Sequence, residues 1–134
     1  MTTDDVKGIA ELALVIKRKA EEEALIQALG KLADLVCEED GAAVVIEIAG
    51  GKFRAAISHR GSLIPYDTAG CYWQEGDSLH DALQNAKRAS VRLIRHRIHE
   101  ARTAYRRSHS RIGWADWVEK RLAEIEAEHE RAVS

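Results

Sequence analysis

The sequence predicts an α+β fold: an N-terminal helical arm, a small antiparallel sheet of three or four strands, a long basic helix and a C-terminal helix. Two observations lead to it. The run AAVVIEIA, the pair Gly50-Gly51 and the run KFRAAISHR form a hairpin signature, because adjacent glycines suit the backbone of a two-residue turn. On both sides of that hairpin, apolar residues recur at three–four spacing over stretches too long for strands. Helices segregated from a small sheet define the class. The chain divides into a helical arm over 1–40, an α+β core over 41–110 and a C-terminal helix over 111–134.

Residues 3–38 read as helix throughout. Val6, Ile9, Ala13, Ile16 and Ala20 follow one apolar stripe, and Leu25, Leu29, Leu32 and Val36 follow another. The phase slips between Ala20 and Leu25, across the polar run KRKAEEE. One long helix with a stutter fits this, as do two helices meeting near Lys19. Glu39-Asp40-Gly41 ends the helical region. The first strand covers Ala42–Ala49, where Val44, Ile46 and Ile48 alternate with Val45 and Glu47; one set is expected to face Leu83, Ala86 and Leu93. A second strand covers Lys52–Arg60, Gly61-Ser62 turns, and Leu63–Tyr66 and Cys71–Gln74 are short candidate strands.

From Asp77 to about Ser108 the pattern is one long amphipathic helix. Asp77 or Ser78 caps it, since a short side-chain oxygen there accepts from an otherwise unpaired amide of the first turn. Leu79, Ala82, Leu83, Ala86, Leu93, Ile94, Ala101 and Tyr105 share its apolar face, on which Arg97 is the one base. Gly113 is expected to turn the chain, and Trp114, Trp117, Val118, Leu122 and Ile125 form a last helix to about Ala132, with glutamates on its other face.

The 134 residues suit one domain with a helical extension, and the composition is that of a soluble globular chain. Cys37 and Cys71 have no metal-ligand spacing and read as free, half-buried thiols of a reducing compartment. The acidic N-terminus is unlike a signal peptide, and no apolar run reaches the roughly 18 residues of a membrane span, so a cytoplasmic protein without membrane contact is expected. Phosphate-loop, nucleophile-elbow and zinc-type motifs are all missing, and the sequence is read as neither an enzyme nor a cofactor or metal binder.

The net charge of −2 conceals a segregation. Residues 1–41 carry ten acids and five bases, 87–111 nine bases and one acid, and 114–134 six acids and three bases. Within the basic stretch Arg88, Arg92, Arg95, His99, Arg102 and Arg106 form a single helical stripe, the candidate contact surface. Like charges at these spacings cost helix stability, so acids or phosphates must compensate. The acids can belong to a partner, to the last helix or to Glu21–Glu23. Aromatic stacking platforms for single strands are sparse, with Phe53 the only Phe. Leu25, Leu29 and Leu32 on the arm, with Trp114 and Trp117, are candidate interface residues, and the breadth of the arm's apolar surface predicts a homodimer.

The segment GCYWQEGDSLHDALQNAKRA resembles HicB-like antitoxin domains. Gly70-Cys71, Gly76-Asp77-Ser78, Ala82-Leu83 and Asn85-Ala86 occupy the places of the family's motif, and the hairpin VVIEIAGGKFRAAIS suits its first two strands, so the resemblance covers about residues 43–94. The chain departs from the pattern in Ala69, where proline is usual, in the helical region before residue 41, and in having no recognisable DNA-binding segment after Ser110. The resemblance implies a non-enzymatic regulatory or inhibitory protein that works by protein–protein contact. Nucleic-acid binding through residues 87–111 is the alternative, and a phage-like structural or assembly component is a third. The partner is expected to be a macromolecule, with protein ranked ahead of nucleic acid.

Overall fold

A computed structural model describes residues 2–103 and 109–134. The order is α1 (Thr3–Cys37), β1 (Ala43–Ala49), β2 (Lys52–His59), β3 (Ser62–Ile64), β4 (Gln74–Gly76), α2 (Leu79–Thr103) and α3 (His109–Val133), an α+β protein with three helices and a four-stranded antiparallel sheet. The phase slip in α1 does not break it: one helix of 35 residues runs through KRKAEEE. The third strand starts one residue earlier than the sequence pattern places it, because Arg60-Gly61 supplies the turn, and it stops at Ile64. The fourth starts three residues later, because the Tyr66 amide donates to the Cys71 carbonyl at 2.7 Å and closes a loop there.

In the sheet β1 pairs with β2 around the Gly50-Gly51 turn, Ile46 opposite Ala55 and Ile48 opposite Phe53. β3 and β4 share the other edge of β2, one beside residues 57–59 and the other beside 53–55. Helix α2 lies against β2 and β4, α1 against α2 and β1, and α3 closes the outer side against α1 and α2. Helices α1 and α2 run parallel: Glu21 meets His80 near the start of α2, and Val36 meets Arg97 further along both helices. Helix α3 returns antiparallel, so Lys87 meets His129 while Arg102 meets Asp116.

The core joins Leu25, Leu29, Leu32 and Val36 of α1 to Leu83, Ile94 and Ile98 of α2, Ile57 of the sheet, and Val118, Leu122 and Ile125 of α3. Small residues on α2 (Ala82, Ala86, Ala89) let its backbone approach the strands closely. The expectation for the first strand holds only at one end. Val44 packs on the core, whereas Ile46 and Ile48 remain 40% and 69% exposed, because α2 crosses β2 and β4 and leaves the edge strand uncovered there.

Two local features fix the junctions. Ser78 Oγ accepts from the Asp81 amide at 3.1 Å, the cap that the sequence suggests. Gly76 is demanded by contact: a Cβ there would lie 2.4 Å from the Ala82 nitrogen, so β4 meets the first turn of α2 backbone to backbone. Gly113, expected to turn the chain, instead lies within α3.

Candidate interaction surfaces

The basic stripe of α2 is divided by what α3 brings to it. Arg102 Nη1 donates to Glu119 at 2.8 Å and Nη2 to Asp116 at 2.8 Å. These carboxylates hold the Arg102 guanidinium above its ordinary pKa, and Arg102 in turn draws Glu119 below the usual carboxylate range. Arg95 lies 3.8 Å from Glu126, and Arg111 reaches Glu38 at 2.9 Å. Lys87 Nζ sits 2.7 Å from His129 Nδ1, where burial first and the lysine charge second push the histidine pKa down, so the ring accepts and the lysine donates. Much of the charge that looked uncompensated along one helix is met by acids of the chain's own last helix. The glutamate face of α3 is partly engaged: Glu119, Glu124 and Glu130 are exposed, Glu126 and Glu128 are half-buried, and Glu128 pairs with Lys31 of α1 at 2.6 Å, which lowers its pKa.

Arg88 and Arg92 are the exceptions, exposed and without an ion pair among the described residues. They border a groove of about 550 Å³ whose lining includes Gln74, Gln84, Asn85 and Lys87. Gln84, which carries no charge, sits one helical turn before Arg88 on the same stripe, so the four-residue step backward from the arginines points to it. Asn85 is engaged, its side chain donating to the Glu75 carbonyl at 2.9 Å. His99 is exposed on the same helix, and Arg106 lies outside the described residues.

Arg97, the base on the apolar side, ends α1. Its guanidinium donates to the Val36 carbonyl, one of the acceptors that a helix C-terminus leaves unpaired. Burial pushes the neighbouring Cys37 thiol upward in pKa against the opposing charge of Arg97, and both cysteines are free thiols.

The candidate interface residues separate. Leu25, Leu29 and Leu32 are 2%, 0% and 0% exposed, committed to this chain's own core, and so offer no surface to a partner. Trp114 is half-buried, with the Arg111 guanidinium 4.1 Å from its ring centroid. Trp117 does not share its burial: it is 60% exposed because Ala115 and Val118 take the core-facing positions of α3. The large exposed apolar surface lies N-terminal to Leu25, where Val6, Ile9, Leu12, Leu14, Val15 and Ile16 are each between 54% and 67% exposed.

Among the described residues no group of three His, Cys, Asp or Glu side chains is placed to hold a metal ion, and no helix is long and apolar enough to cross a membrane. No family model, curated protein or solved structure matches the chain.

Proposed function

We propose that the chain is a non-enzymatic binding protein, regulatory or inhibitory in the manner of HicB-like domains, that acts in the cytoplasm as a homodimer through protein–protein contact. The observation that carries the reading is the first half of α1. Six large apolar side chains there are more than half exposed on a helix that projects from the packed domain. Fully burying such a side chain gains roughly 1.5–3 kcal/mol, and contiguous apolar surface of this kind marks an interaction site. Four short strands feeding a capped helix, with Gly76 and Ser78 at the junction, support the HicB-like part of the reading.

Capture of partners by the immobilised chain, with and without nuclease, tests this. A nuclease-resistant protein partner retained by the wild type and lost with Leu12→Asp/Ile16→Asp is the expected result. Both positions are about 60% exposed, so the fold tolerates the change. Partner binding that survives in the arm variant refutes the assignment to the arm.

Nucleic-acid binding is kept as a second reading by Arg88 and Arg92, which are free to meet phosphate beside the groove. Glu126 on the same wall opposes it. Short single- and double-stranded RNA and DNA, titrated at two salt concentrations against wild type and Arg88→Ala/Arg92→Ala, decide the matter. Steeply salt-dependent binding that weakens in the variant supports this reading, and no binding at low salt removes it.

A further inference from the structure

On a helix turning about 100° per residue, the buried residues of α1 (Ala24, Leu25, Ala28, Leu29, Leu32, Ala33, Leu35 and Val36) cluster around one direction. Ile9, Leu12 and Ile16 point about 170° away from it, on the opposite side. The arm's apolar surface is thus divided: Leu14 follows the core direction and Val6 and Val15 lie at about right angles to it, but the side that Ile9, Leu12 and Ile16 form is no extension of the core face. It starts a different stripe, and that stripe continues past the end of the arm along the outer side of the packed half of the helix. Ile9, Leu12, Ile16, Lys19, Glu23, Ile26 and Gly30 succeed one another at steps of three and four, the spacing of a coiled-coil seam. None is buried: Ile9, Leu12 and Ile16 are about 60% exposed, Ile26 is 36% exposed, Lys19 and Glu23 are exposed, and Gly30 is half-covered.

We infer that a second copy of this chain covers this seam, with the two α1 helices antiparallel and the two-fold axis passing near Glu21. The inference rests on the protein–protein reading above and names the partner. Charge selects the copy and its direction. Lys19 and Glu23 occupy adjacent seam positions and, although four residues apart on one helix, form no ion pair with each other. In a parallel, in-register pair Lys19 would face Lys19 and Glu23 would face Glu23. In the antiparallel pair each Lys19 faces the other chain's Glu23, twice, as a two-fold contact requires. The same axis sets Ile16 against Ile26 and Leu12 against Gly30, each also twice. Gly30 thereby acquires a reason: a glycine inside a helix is unfavourable by roughly 1 kcal/mol, and no atom of this chain comes within 4 Å of where its Cβ would be. Opposite Leu12, the missing side chain makes room for a large one.

Analytical ultracentrifugation of the full chain at micromolar concentration tests the inference, with circular dichroism melts confirming that each variant folds. Wild type should be a dimer. Lys19→Glu and Glu23→Lys should each weaken it at least tenfold, by setting like charges opposite each other twice. An equimolar mixture of the two variants, or Lys19→Glu/Glu23→Lys in one chain, should restore the wild-type dissociation constant. Ile16→Asp should abolish the dimer while still unfolding cooperatively, with a midpoint that no longer depends on protein concentration. A monomeric wild type overturns the inference and the homodimer of the proposed function, and leaves partner capture by the arm to its own test. A dimer indifferent to both single charge reversals overturns the antiparallel seam, because a parallel pair keeps like charges opposed with or without them.

Discussion

Replacing Gly76 by alanine should cost this fold about 3 kcal/mol, although only one methyl group is added. The new Cβ would stand 2.4 Å from the Ala82 nitrogen and 2.7 Å from both the carbonyl carbon and the Cβ of Asp81. Two of those atoms are backbone, so no rotamer change relieves the overlap, and β4 and the first turn of α2 must separate. Forced overpacking of this sort typically costs 1–3 kcal/mol. Separation also strains the bond from Asn85 to the Glu75 carbonyl, about 1 kcal/mol, and the Ser78 cap, typically about 1 kcal/mol. At roughly 4 °C per kcal/mol for a chain of this size, the midpoint should fall by about 12 °C. Gly113→Ala is the matched control: it lies in α3 with no atom within 4 Å of its Cβ direction, and alanine should raise stability by roughly 0.5–1 kcal/mol. Urea titrations of both variants measure the difference. A Gly76→Ala protein within about 0.5 kcal/mol of wild type would refute the close approach of β4 to α2.

Arg97→Met keeps the length of the side chain but leaves the Val36 carbonyl unmet, and should cost about 1.5–3 kcal/mol, with faster amide exchange in the last turn of α1. Leu29→Ala, at a fully buried position, should cost about 2–5 kcal/mol, whereas Leu12→Ala should leave the stability of the monomeric fold nearly unchanged in denaturant titrations. His129 has its pKa lowered by burial and by Lys87, so protons bind the unfolded chain more readily. The stability that it contributes is present above its ordinary pKa of about 6.5 and is lost as pH falls through the lower folded value. His129→Gln should therefore flatten the part of the stability–pH profile below about pH 6.5, and an unchanged profile would count against that environment.

Periodicity and turn chemistry made the fold class, the hairpin and three helical regions legible in the sequence. The Ser78 cap was legible for the same reason: it depends on neighbours within one turn. Strand ends were not, because a strand as short as Gln74–Gly76 exists only through its pairing with β2, and Gly113 was misread because helix packing overrides the weak cost of a single glycine. The basic stripe was visible as a row of arginines, but whether its charge was free depended on residues far along the chain: Asp116, Glu119 and Glu126 reach Arg102 and Arg95 only when α3 folds back. Leu25, Leu29 and Leu32 read as an interface on a helix considered alone, and burial under α2, α3 and the sheet turned them into core. The slip of phase at KRKAEEE was likewise present in the sequence from the start. What the sequence alone determined was that α1 has two apolar stripes, since helical geometry is local. Only the tertiary structure decided which stripe the chain keeps for its own core and which it leaves in water, because burial depends on what packs there rather than on the helix itself.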